Sequence, residues 1–128
     1  MNVTKTTKTV TTDADGAAEV EAGPFTGKLV NVIYTKPTSG GYADGVDFDL
    51  VTETGIDVWD EDDVNASKAI APQQPLHSNA GVALVYASGG EAVTCPIYLA
   101  NEKITITIAN GGATKTGQFD FIVVGPTG

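Results

Sequence analysis

The alternation of apolar and polar residues is sharpest near the end of the chain, where Lys103-Ile104-Thr105-Ile106-Thr107-Ile108 places isoleucine at every second position. A period of two marks a strand with one buried face, because successive side chains point to opposite sides of the sheet. Asn110-Gly111-Gly112 begins a loop, and Gly117–Val124 returns with Phe119, Phe121 and Val123 on one face. These two segments are expected to pair with each other.

Lys28–Thr35 carries a different pattern. Leu29 and Ile33 fall on one side and Val30, Val32 and Tyr34 on the other, which predicts an interior strand covered on both faces. Val46–Glu53 alternates again, with Phe48 and Leu50 inward and Asp47 and Asp49 toward water, and Thr54-Gly55 turns the chain into Ile56–Trp59. Val82–Ala87 reads as a strand, followed by a turn at Ser88-Gly89-Gly90. Ala92–Leu99 sets Val93, Cys95, Ile97 and Leu99 on one face, with Pro96 implying an edge or a bulge because it lacks an amide donor.

Elsewhere the pattern is weaker. Val3–Thr11 is mostly threonine and lysine with isolated valines. Threonine favours extended backbone, so this segment reads as an exposed edge strand or arm. Asp13-Ala14-Asp15-Gly16 supplies an Asp-Gly hairpin turn, Ala18–Ala22 the returning strand, and Pro24 its end. Pro37–Asp44 is a glycine-rich loop. Asp60–Ala80 is the one long irregular stretch, with a helical turn expected around Val64–Ile70, capped by Asp62 or Asp63 and ended by Pro72.

The count comes to eight or nine strands without an internal repeat. It predicts an all-β, antiparallel, jelly-roll-like β-sandwich. One domain would span residues 1–128, with 1–11 as an N-terminal arm or edge strand.

Composition then narrows the chemistry. At 128 residues, 41% hydrophobic and 18% charged, the chain can bury roughly two-thirds of its unfolded surface. All seven basic residues are lysines, so the bidentate grip of arginine on phosphate or carboxylate is missing. The net charge of −9 opposes both nucleic acid and an anionic membrane surface. A single cysteine excludes an internal disulfide. The opening Met1-Asn2-Val3-Thr4-Lys5-Thr6 has no apolar core of a secretory signal, and no run approaches the ~18 apolar residues of a membrane helix. Synthesis in the cytoplasm is expected.

Each candidate for chemistry meets a plainer alternative. Asp13-Ala14-Asp15-Gly16 starts like a calcium loop, yet Glu19 and Glu21 arrive too early and within a strand, so a turn is expected. Asp60-Glu61-Asp62-Asp63 with Asn65 is the densest acidic cluster and could hold a hard cation, although solvated acidic loops are far commoner. His77-Ser78 lacks a nucleophile elbow and an orienting carboxylate, which leaves a loop or subunit-contact role. Cys95 reads as a small buried hydrophobe. Trp59 with Tyr42, Tyr86 or Tyr98 could form a flat sugar-binding platform, but nine scattered aromatics fit core or interface anchors better. No catalytic, cofactor-binding or metal-ligating residue is assigned, and no enzyme is expected.

Two stretches carry a resemblance. The first is Thr9-Val10-Thr11-Thr12-Asp13-Ala14-Asp15-Gly16-Ala17-Ala18-Glu19-Val20 with Gly27-Lys28-Leu29-Val30-Asn31-Val32-Ile33-Tyr34. The second runs from Pro96-Ile97-Tyr98-Leu99-Ala100-Asn101-Glu102-Lys103 through Ile108, followed by Gly111-Gly112 and Gly117-Gln118-Phe119-Asp120-Phe121-Ile122-Val123. Together they resemble the small β-sandwich decoration (cement) proteins of tailed-bacteriophage capsids. The resemblance implies a virion component on the outer capsid surface, a homo-oligomer and commonly a trimer, with the major capsid protein as partner. It brings no catalytic residues. Another virion part, such as a head fibre, tail, baseplate or host-recognition module, is the alternative, as is a carbohydrate-binding β-sandwich.

Overall fold

Eight antiparallel strands make up the secondary structure of residues 2–75 and 94–125, which the computed structural model describes. They are β1 (Asn2–Thr11), β2 (Ala18–Thr35), β3 (Val46–Thr52), β4 (Asp57–Val64), β5 (Lys68–Ile70), β6 (Gln73–Pro75), β7 (Thr94–Ala109) and β8 (Thr116–Gly125). Hydrogen bonding runs β1-β8-β2-β7-β3-β4, with β5 added to β2 and β6 to β7. The pairs β1–β8, β2–β7 and β3–β4 are nested inside one another. This is the arrangement of a long hairpin rolled up. The expected all-β, antiparallel, sandwich-like class is present, built from a single sheet folded onto itself.

The fold line lies in β2. Pro24 does not end the strand as its missing amide suggested. The chain instead passes Gly23-Pro24 (a cis peptide) and Gly27, with register shifts on either side of Phe25, and continues to Thr35. Bulges bend a strand and sharpen its twist, so the first half of β2 pairs with β7 and the second half with β8. Opposite the bend, β7 turns at Asn101, which has a φ of 54°. The segments read separately as Ala92–Leu99 and Lys103–Ile108 are thereby one strand from Thr94 onward. Gly27 is required at the corner: its φ is +129°, and a Cβ there would run into the Val124 carbonyl.

Folding the sheet brings its two halves face to face around one apolar core. Phe48 of β3 meets Tyr34 of β2 at 4.7 Å and Phe119 of β8 at 5.1 Å between ring centroids. Ile104, Ile106 and Ile108 are buried as their alternation predicted, as are Phe119, Phe121 and Val123. They lie on opposing halves, however. β7 and β8 are not hydrogen-bonded neighbours: β7 pairs with β2 and β3, and β8 with β1 and β2. Both stripes are apolar because they face each other across the core.

Other local expectations are corrected in the same way. The Asp13–Gly16 turn exists, but it arches from β1 to β2 without pairing them, since β1 pairs with β8. Asp60–Val64 belongs to β4 and Lys68–Ile70 to β5, so the helical turn around Val64–Ile70 is absent and the Asp62 or Asp63 cap with it. In β2 a register shift between Leu29 and Asn31 resets the alternation: Leu29, Val32 and Tyr34 are buried, while Val30 and Ile33 are half-buried on the outer face. Val82–Ala87 and the Ser88-Gly89-Gly90 turn lie outside the described residues.

Candidate functional site

The two ends of the folded sheet are its most unusual surfaces. β1 pairs with β8 over ten consecutive positions, Asn2 to Thr11, without a bulge. Thr4, Thr6 and Lys8 stand opposite Val123, Phe121 and Phe119, so they share the face that elsewhere forms the core. Thr4 and Thr6 are nonetheless exposed and Lys8 only half-covered. Only Val10 is buried, beneath the Tyr42 ring, whose hydroxyl donates to the Val10 carbonyl at 2.7 Å. Val3 is 65% exposed.

β1 is therefore held by its backbone ladder and by threonine hydroxyls. The Thr7 hydroxyl donates to the Asp120 carboxylate, the Thr4 hydroxyl reaches the Val123 carbonyl at 3.4 Å, and Thr11 lies 3.2 Å from the Thr116 hydroxyl. Its outer backbone groups have no strand partner among the described residues. Such a row is a template for a further strand.

The opposite end, β4, is acidic. Val58, Trp59 and Val64 are buried, and Asp57, Asp60, Glu61, Asp62 and Asp63 occupy the remaining positions. Asp60 faces Asp49 of β3 directly. Like charges in cross-strand register destabilise a sheet. Partial burial and the neighbouring Asp49 and Asp60 carboxylates push the Asp57 carboxyl above its usual range. With Glu19, Glu21 and Asp47, this makes an acidic outer face on the half formed by β2, β7, β3 and β4.

The lysines are distributed differently. Among the described residues the ion pairs are Lys36–Asp44 at 2.8 Å and Lys68–Glu61 at 2.6 Å, and neither Lys5 nor Lys8 takes part in them. Lys68 and the Trp59 indole, which donates to Glu61 at 3.0 Å, together hold the Glu61 carboxyl below its usual range.

The sequence-derived candidates separate under this geometry. Asp13 serves its own turn, its carboxylate accepting from the Asp15 and Ala17 amides at 2.8 and 3.1 Å. The Asp60–Asp63 cluster lies along a strand rather than in a loop, and no group of three or more acids, histidines or cysteines is arranged to hold a metal among the described residues. Cys95 is half-buried rather than buried. Trp59 packs edge-on against Phe48 at 5.4 Å and Tyr42 stacks on Tyr34 at 5.9 Å, so both are core residues and no aromatic platform can be built from them. Tyr98 is 62% exposed. Tyr86, His77 and Ser78 lie outside the described residues. No cavity opens among the described residues.

What the sequence reading missed is the contrast between the ends. Lys5 and Lys8 against Asp57–Asp63 is visible as composition, but only the strand order shows that these segments terminate one sheet. No family model, curated protein or solved structure matches the chain.

Proposed function

We propose that this chain is a virion structural protein that binds the outer surface of a tailed-phage capsid and reinforces the shell. The observation that carries the reading is β1, a ten-residue edge strand whose core-side residues Thr4 and Thr6 are left uncovered. A strand of this kind works by contact, because it offers backbone groups and a partly covered face to a neighbouring subunit. The acidic outer face of β3 and β4 is suited to a shell exterior, away from packaged nucleic acid. The resemblance to capsid decoration proteins supplies the class of particle, the major capsid protein as partner and a homo-oligomeric, commonly trimeric, state.

The test is co-sedimentation of the purified chain with empty shells assembled from the major capsid protein encoded beside it. Binding at a fixed ratio to capsomers, with a higher temperature of shell disruption, is expected. Absence of binding at saturating chain concentration would overturn the reading. Tail genes beside this one, in place of a capsid gene, would move it to another part of the virion.

A further inference from the structure

We propose that copies of this chain associate head to tail, the β1 edge of one pairing with the β4 edge of the next. The inference rests on the reading of the sheet ends as contact surfaces and names what occupies them. The two ends carry opposite charge. β1 contributes Lys5 and Lys8 and no acid, whereas β4 contributes Asp57, Asp60, Asp62 and Asp63, beside Glu61, which Lys68 already pairs, and no base of its own.

Charge on an edge strand normally protects against aggregation, because identical edges repel. Here that protection is selective. Two β1 edges would oppose lysine with lysine, and two β4 edges would oppose two runs of acids. Only the unlike pair brings cations to anions. It would also relieve the Asp49–Asp60 opposition and the crowding around Asp57 within the single chain.

Direction agrees. The strands alternate in sense along the order β1-β8-β2-β7-β3-β4, so β1 and β4 run oppositely. A second copy continuing the sheet in the same sense presents its β1 antiparallel to β4, the more stable pairing. The lengths match as well, ten residues against eight. The interface is heterologous, so successive copies close into a ring or extend into an open array.

The test uses the whole chain and its mass in solution by sedimentation velocity. The wild type is expected to self-associate at low salt and to dissociate as salt rises, because the contact rests on charge near the surface. Lys5→Glu with Lys8→Glu, and separately Asp60→Lys with Asp62→Lys, should each weaken association by about tenfold or more. Both variants should keep the wild-type circular dichroism, since the four side chains are exposed or half-covered. Mixed together, the two variants should associate again, because each then presents an edge complementary to the other. A wild type that stays monomeric at low salt overturns the inference, as does association that survives in either variant alone or fails to return on mixing. Shell binding measured on the same samples separates the two proposals: a monomer that still binds shells removes this inference and leaves the functional reading intact.

Discussion

Tyr34 and Tyr42 stack in the core, yet their hydroxyls are treated differently. Tyr42 donates to the Val10 carbonyl, while the Tyr34 hydroxyl is buried without a hydrogen-bond partner among the described residues. A buried polar atom left unpaired carries its full desolvation cost. Tyr34→Phe is therefore expected to leave stability unchanged or raise it by up to about 1 kcal/mol, and Tyr42→Phe to lower it by about 1–2 kcal/mol, both read from urea midpoints. A larger loss in Tyr34→Phe would mean that the hydroxyl is satisfied in solution. Burial, reinforced by the Asp44 carboxylate, pushes the Tyr34 hydroxyl up to about 12 from 10.0, and burial raises Tyr42 further. The folded state thus holds these protons more tightly than the unfolded state. Their contribution is complete below pH 10; that of Tyr34, about 3 kcal/mol, is lost as pH rises toward 12, and that of Tyr42 over a range extending higher. Alkaline titration should show these two tyrosines ionising together with loss of near-ultraviolet circular dichroism. Reversible ionisation near pH 10 that Tyr34→Phe or Tyr42→Phe removes, with the fold intact, would contradict this. Both residues sit in apolar surroundings that the sequence displays, but it does not say which hydroxyl finds a carbonyl. That choice depends on Gly117, where a Cβ would collide with the Tyr42 ring.

Strand identity was legible in the sequence wherever alternation was strong, and pairing was not. Ile104, Ile106 and Ile108 were correctly read as one buried stripe and Phe119, Phe121 and Val123 as another. Their alternation would look the same for neighbours in one layer or for opposing layers, so it could not reveal that β7 and β8 never pair. Pro24 misled for a related reason. It signals a lost amide, and a bulge disposes of that loss as well as a strand end does. The acidic cluster read as a loop because Asp is a poor strand former. β4 exists because Val58, Trp59 and Val64 reach the core between those acids. Asp60 and Asp49 then face each other as a consequence of register, which gives a prediction for this element. Asp60→Asn should raise the thermal midpoint by an amount equivalent to about 0.2–1 kcal/mol at low salt, with the gain shrinking as salt is added. A loss of stability would show that the Asp60 carboxylate has a favourable partner.

At the scale of the whole molecule, the sheet order converts a modest lysine and aspartate inventory into two unlike ends, and this was the part least legible in the chain. Lys5 and Lys8 and the acids among residues 57–63 are ordinary surface charges until β1 and β4 are known to terminate one sheet. The same order places the first and last strands side by side, with Asn2 opposite Gly125. Joining the two ends and reopening the chain at the exposed Thr54-Gly55 turn should give a folded permutant. It should refold faster than the parent in stopped-flow fluorescence, because the longest closure is made in advance. An equal or slower rate would indicate that β1 docks outside the rate-limiting step. Contact between the ends also imposes an order of events on synthesis. Thr4 and Val123 are 119 positions apart, and at about 5–20 residues per second the ribosome needs roughly 6–24 s to supply the second after the first. Throughout that interval β1 lacks β8, its strand partner among the described residues, while β3 and β4 can already form their hairpin. The basic end of the sheet is thus completed last, and a nascent chain cannot offer it to a neighbour until its own β8 has been made.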